Sequence, residues 1–261
     1  MPRISVDRGP ITTLWLDRPD KRNAMDAELM KELAAAFDTV GADNTVRVVV
    51  LRGRGTVFSS GIDHSLLTGI AVATKQTPFL HLHHEIQDVF HRMGRLHQPI
   101  IAALHGVCAG MALELVLAAD IRIASEDCVL GLPEIAFGLV PDVGGTTRLI
   151  RAVGEPRARE LILTGRFLKA ATAERYGMIH ETVAAAELDQ HVAALAAQLA
   201  MHASTALGLA KALCLASADA DAATSFRLEG IVQQTLLAQP DLMTRFPQAL
   251  AFIKSQVANP S

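Results

Sequence analysis

Concentrated positive charge is missing from this chain of 261 residues. Its 24 Lys and Arg are set against 27 Asp and Glu, a formal net charge of −3, with no long basic block. A surface that binds nucleic acid by neutralising phosphates needs such a field, so no nucleic-acid partner is expected. Cysteine is scarce: Cys108, Cys128 and Cys214 are odd in number and lack Cys-x-x-Cys spacing. That argues against a disulfide framework and reads as small buried thiols of a reducing compartment. Aromatic residues are only 4% of the chain although half of it is hydrophobic. Ala, Leu, Ile and Val must therefore build the core, which suits tightly packed helices and a buried sheet. The N-terminal MPRISVDRGPITTLWLDRP has no apolar signal region, so the expectation is a soluble cytoplasmic protein with no membrane partner. Gly-x-Ser-x-Gly and Gly-x4-Gly-Lys-Ser are both absent, which leaves a nucleophile elbow and a P-loop unsupported.

What is present is organised around Pro99 to Asp120, PIIAALHGVCAGMALELVLAAD. An apolar run, Ile100 to Leu104, crosses a small-residue bend, His105 to Gly110, and becomes an apolar segment, Met111 to Ala119. This pattern predicts strand, tight turn and helix. Such a turn leaves backbone N–H groups free at the positive end of a helix, where a developing negative charge can be held. Glu114 lies one turn past Met111 on the same face. An acid inside an apolar helix needs either a partner or a task. A membrane span or a plain core helix with one satisfied Glu are the other readings of this stretch; His105, Glu114 and the bend speak against the span.

Around it the chain alternates strand and helix. Ile4–Asp7 and Ile11–Leu16 form a hairpin; Asp26 caps a helix carrying Leu29, Leu33, Phe37 and Val40, which Gly41 ends; Val46–Leu51 is a buried strand. The Phe58–Ser59–Ser60–Gly61–Ile62–Asp63 turn offers a backbone N–H near Ser60, or is an ordinary surface turn. Leu66–Thr77 reads as a mobile lid. His81, Glu85 and Asp88 share one face of the next helix, but no second cluster supports a metal site, and a solvated face is the better reading. Beyond residue 132, Glu134 and Asp142 stand in an otherwise apolar loop with Gly and Pro. Paired acids near an oxyanion-type donor suit general acid–base work, unless both simply cap helices. Helices over 156–163 and 170–176, a strand over 179–183 and an alanine-rich helix over 188–201 follow. A boundary near residue 200 separates residues 1–200, a mixed core, from residues 201–261, an all-helical tail. The apolar faces of that tail need the core or another subunit to cover them.

Read together, these residues resemble the crotonase superfamily, the enoyl-CoA hydratase/isomerase family, over nearly the whole chain. Arg18–Pro19, Arg22–Asn23–Ala24–Met25, Phe58–Ser59–Ser60–Gly61–Ile62–Asp63, His105–Gly106, Gly110–Met111–Ala112–Leu113–Glu114, Pro133–Glu134, Gly138–Leu139–Val140–Pro141, Gly144–Gly145–Thr146 and Leu163–Thr164–Gly165 carry the resemblance by their order and spacing. It implies an α/β fold, a spiral of ββα turns with a C-terminal helical trimerisation region, assembled as a homotrimer or a dimer of trimers. It implies an acyl-CoA thioester substrate, coenzyme A being part of the substrate, with no separate cofactor and no metal. The thioester oxygen would be held by the backbone N–H groups of Ser60 and Met111, and the CoA moiety would lie along Arg22, Ala24, Ser60, Gly61, Ile62, Asp63 and Gly110. Glu114 and Glu134 occupy the positions of the two hydratase glutamates. Asp142 departs from the usual hydratase residue and matches the acid of some double-bond isomerases. The expected activity is therefore enoyl-CoA hydration. The alternatives are an enoyl- or dienoyl-CoA isomerase using Asp142, and a non-catalytic acyl-CoA-binding or RNA-associated relative.

Overall fold

The computed structural model describes residues 2–258. Its contacts divide the chain into two compact units, residues 1–204 and 205–261. In the first, β1 (Ile4–Asp7) and β2 (Ile11–Leu16) form the expected antiparallel hairpin. Helix α1 (Ala27–Ala42) starts where Asp26 accepts a hydrogen bond from the Leu29 N–H, and it absorbs Gly41 before ending. Then come β3 (Val48–Gly53), α2 (His64–Ala73), α3 (Phe79–Arg95), β4 (Ile100–Leu104), β5 (Val107–Ala109) and α4 (Met111–Val116). They are followed by β6 (Ile121–Ser125), β7 (Val129–Gly131), α5 (Gly145–Val153), α6 (Glu155–Thr164), β8 (Leu168–Lys169), α7 (Ala170–Tyr176), β9 (Glu181–Val183) and α8 (Leu188–Met201).

Six strands form one sheet in the order β1-β2-β3-β4-β6-β9, parallel from β2 onward. Parallel strands covered on both faces read as continuous apolar runs, which is why VVVL and IIAAL show no polar alternation. Their side chains still sort by parity. Val49, Leu51, Ile100, Ala102 and Leu104 join the large core that includes α1 and α3. Val48, Val50, Ile101 and Ala103 face the other way, onto Leu188, Val192 and Ala196 of α8. A second sheet, β5-β7-β8, stands beside the first.

Three expectations change here. The bend at 105–110 is not a simple turn: it contains β5, which pairs in parallel with β7. The helix after it spans only Met111–Val116, because Ala118 and Ala119 leave it as a tightening turn. Residues 66–77, read as a lid, hold most of α2, a regular helix capped by Asp63. Cys108 and Cys128 are buried, whereas Cys214 is exposed; all three are free.

The second unit contains α10 (Ala222–Leu237), α11 (Leu242–Ala258) and nearly all of α9 (Ser204–Ser217). On α11, Met243, Phe246, Leu250, Ile253 and Val257 are all more than half exposed. Their 3-4-3-4 spacing lines them along one face.

Candidate active site

The site begins with a left-handed pair. Arg22 and Asn23 both have φ of 53°, unusual for residues with a Cβ. Asn23 justifies its strain by bonding: it is fully buried, and its Nδ2 donates to the carbonyls of Arg54, Val57 and Phe58. Its Oδ1 accepts from the Arg18 N–H. One side chain thus ties the 18–25 loop to the segment that leads into Ser59. Arg18 adds a second tie, donating from Nη1 to the Ala24 carbonyl at 2.9 Å and to Asp63 Oδ2 at 2.5 Å. Asp63 also accepts from Ser65, and these bonds hold its carboxyl well below the usual range. Asp63 is therefore a structural anchor for the loop and the cap of α2.

The loop between these ties runs alongside β5. Ser59 bridges in parallel to Cys108, and Ile62 bridges in parallel to Met25. In a parallel bridge the bonds go to the neighbours of the paired residue. Here the Met25 N–H reaches the Gly61 carbonyl and the Asp63 N–H reaches the Met25 carbonyl. The Ile62 N–H is turned to the opposite side, and among the described residues no backbone carbonyl takes it. The expected donor, Ser60, is otherwise engaged: its N–H donates to the Arg22 carbonyl at 3.0 Å. The second donor beside Met111 is therefore Ile62, two residues on, and Ser60 N–H is a strut. The bridge register is what distinguishes the two, and sequence pattern alone does not carry it.

Gly61, with φ of 91°, brings Ile62 against the other donor: a Cβ there would lie 2.6 Å from the Ala109 carbonyl oxygen and 3.4 Å from Met111 N. Met111 opens α4, so its N–H is one of the orphans of a helix start. Gly110, at φ 54°, turns the chain from β5 into that helix, and a Cβ on it would come within 3.0 Å of Glu134 Oε1. Met111's own side chain is buried in the large core. Arg22 is exposed, and Ala24 is half-buried beside it.

Glu114 is 2% exposed. Its Oε2 accepts from the N–H of Val143 at 3.0 Å and of Gly145 at 2.7 Å. Neither Glu134 nor Asp142 is a helix cap by its side chain, since α5 is entered through Gly144. The acid that serves the start of α5 is Glu114, from another helix. Gly145 is required for this approach, because a Cβ would lie 2.5 Å from Glu114 Cγ and Oε2. Burial pushes Glu114 up to about 8, against the lowering by those two N–H bonds, and the charges of Glu134 and Asp142 push the same way. Arg148 donates to the Val143 carbonyl and steadies the turn that holds Glu114.

Glu134 sits in a single 3-10 turn, Glu134–Phe137. Its Oε2 is buried and has no partner among the described residues. Burial raises its pKa, and the Asp142 charge adds to that. Asp142 is 42% exposed; partial burial raises it, while His83 opposes the rise. The three acids expected at the site thus act on one another electrostatically beside two free backbone donors. Arg18, Asn23 and Gly145 carry the resemblance in sequence but were given no role there, and Arg148 was passed over; the structure supplies what each of them holds. His81 and Glu85 are exposed on α3, and Asp88 is paired with Arg92.

A family model described as enoyl-CoA hydratase/isomerase matches residues 8–248. A Rhizobium meliloti protein named a probable enoyl-CoA hydratase is 34% identical over 90% of this chain and 89% of its own length. An Arabidopsis thaliana relative, named a probable mitochondrial enoyl-CoA hydratase 2, is 33% identical over 92% of this chain and 78% of its own. Among solved structures, the enoyl-CoA hydratase of Bacillus anthracis superposes with a TM-score of 0.87 at 30% identity, covering 97% of this chain and 96% of that one. A Thermobifida fusca YX protein solved in complex with acetoacetyl-CoA gives 0.82 at 35% identity, over 91% and 95% of the two chains. The architecture is accordingly the crotonase fold, and the chain belongs to the enoyl-CoA hydratase/isomerase family.

Proposed function

We propose that the protein hydrates the 2,3 double bond of an enoyl-CoA thioester. The observation that carries this reading is the pair of unengaged backbone donors, Ile62 N–H and Met111 N–H, next to two carboxyls of raised pKa, Glu114 buried and Glu134 half-buried. The donors take the thioester oxygen and strengthen their hold as it becomes an enolate oxygen, the kind of contact worth about 10²–10³ in rate per donor. Glu114, fixed through Oε2, presents its other oxygen to a water and takes its proton as the water attacks C3. Glu134, protonated, gives its proton to C2. The pair holds one proton between its members before and after, so its titration belongs to both; water addition starts from the form in which that proton lies on Glu134 and Glu114 is ionised, although burial raises Glu114 to about 8. No cofactor is needed, coenzyme A arriving as part of the substrate along Arg22, Ala24 and Gly61–Asp63.

A second reading has its own support. The Asp142 charge acts on both glutamates, and an acid so placed can move a proton between chain carbons without adding water, as an enoyl- or dienoyl-CoA isomerase does. Incubation with a short 2-enoyl-CoA in heavy water separates the two. Hydration yields 3-hydroxyacyl-CoA; failure to form it, with rapid migration of the double bond in a 3-enoyl-CoA, overturns the first reading for the second. Assembly as a homotrimer or dimer of trimers is supported by the exposed apolar stripe of α11. The unpaired cysteines fit a reducing, cytoplasmic setting, and among the described residues no single helix is long and apolar enough to cross a membrane.

A further inference from the structure

The loop that carries Asp142 is tied to the rest of the protein unevenly. The Pro141 carbonyl accepts from Thr146 Oγ1 at 2.8 Å and the Val143 carbonyl from Arg148 Nη1 at 3.1 Å, both within the same short segment. The Asp142 carbonyl between them is held from a different element: His83 Nε2, on α3 and 59 residues away in sequence, lies 2.7 Å from it. A carbonyl only accepts, so Nε2 carries the hydrogen. The same nitrogen stands 3.8 Å from Asp142 Oδ2, outside hydrogen-bond reach but close enough to act on its charge. The imidazole is only 13% exposed and packs against Phe79. Its Nδ1 is buried and has no partner among the described residues. A side chain that leaves one polar end unsatisfied in order to place the other is paying for geometry.

We propose that His83 is a positioning residue for Asp142: by pinning the Asp142 carbonyl from α3, it sets how far the Asp142 carboxyl reaches toward Glu114 and Glu134. It thereby governs the balance between water addition and double-bond migration. The inference rests on the acyl-CoA reading for its consequence, and on the hydrogen bond alone for its structural part. The carboxyl is three bonds from the pinned carbonyl carbon, so the two move together. The same peptide unit is held on its other side by Glu114, whose Oε2 accepts from the Val143 N–H at 3.0 Å, so His83 is the tie on the carbonyl side; before it the stretch from Ile135 to Val140 is exposed.

The test compares His83→Leu with His83→Gln, whose side-chain nitrogen stands the same number of bonds from the backbone as His Nε2. Two readouts are taken on the full-length protein. Hydrogen–deuterium exchange of the 139–145 peptide reports the tie itself, with no turnover needed. The ratio of kcat for 2-enoyl-CoA hydration to kcat for 3-enoyl-CoA migration reports its consequence. In His83→Leu the peptide exchanges about tenfold faster and the ratio shifts by about tenfold, with KM little changed because Ile62 and Met111 still hold the thioester. His83→Gln restores both. Unchanged exchange in His83→Leu, or equal loss in both variants, overturns the proposal. A normal exchange effect with no change in the kcat ratio overturns its catalytic half. A wild type inert on both thioesters, with the exchange effect intact, counts against the acyl-CoA reading and leaves the tie standing.

Discussion

Replacing Glu114 by Gln separates electrostatics from shape at one buried position. Gln keeps an oxygen able to accept from Val143 and Gly145, yet it never ionises. The carboxyl it replaces is shifted from an ordinary 4.5 to about 8. Below about pH 4.5 the acid is protonated folded or unfolded and adds no pH dependence. Between there and about pH 8 the native state keeps a proton that the unfolded chain releases, so wild-type stability falls as pH rises, by about 1 kcal/mol or slightly more per unit. Above that window both states are ionised and the decline ends. The accumulated loss is on the order of 3–5 kcal/mol, large against the whole stability of a domain. Urea unfolding of both proteins at several pH values from 5 to 9, with equal m-values, measures it. The wild type should lose ground to Glu114→Gln steadily to about pH 8 and then run parallel. Glu134→Gln in the wild-type background should move the end of that decline to lower pH, since the Glu134 charge is one cause of the shift. Curves that stay parallel from pH 5 to 9 would refute the reasoning, because Glu114 would then titrate alike in both states.

The remaining predictions address the other parts of the site. Met111→Pro suits the first position of a helix and removes the N–H together with a buried side chain, which Met111→Ala removes alone; Met111→Pro, beyond the loss in Met111→Ala, and Ile62→Pro should each cut turnover about 10²–10³-fold, and near-normal turnover in a folded variant removes that donor from the site. Gly145→Ala should lower kcat at least about tenfold and cost about 1–3 kcal/mol through its collision with Glu114; unaltered kinetics and unfolding midpoint would show that α5 yields freely. Asp142→Asn should leave hydration largely intact if water addition is the main activity, and should be as damaging as a Glu change if isomerisation is, as product analysis on both thioesters will tell. Leu250→Glu combined with Ile253→Glu should dissociate the assembly, and light scattering that finds wild type and variant alike as monomers at micromolar concentration would refute an oligomeric role for α11.

Much of this site was readable before any coordinates. The parallel strands announced themselves because burial on both faces leaves VVVL and IIAAL without a polar residue. Asp26 and the run after it marked α1, and the resemblance brought Glu114, Glu134 and Asp142 into one frame. What sequence could not carry was register. Whether the N–H of Ser60 or of Ile62 is free depends on which residue bridges Met25, and a shift of that pairing exchanges a strut for a donor. The strand inside 105–110 was hidden for a related reason: three residues, Val107 to Ala109, show no periodicity, and only β7 beside them makes them a strand. His83 was one of several histidines on a helix whose polar face looked merely solvated, and nothing in α3 names residue 142 as its partner.

The double duty of Glu114, with one oxygen spent on folding and the other on the water, separates ancestry from activity. A related chain that had lost its chemistry would still need an acceptor at this position, or α5 would begin with two stranded N–H groups. An acid or amide there is thus a requirement of folding, and its presence is poor testimony that a relative is alive. Glu134 is under no such obligation: its Oε2 supports no other element among the described residues, and an apolar replacement would relieve a buried, unpaired oxygen. In a chain of this fold with no further use for catalysis, residue 134 is free to drift while 114 stays behind. The second acid, rather than the first, is where one should look to tell a working enzyme from its retired cousin.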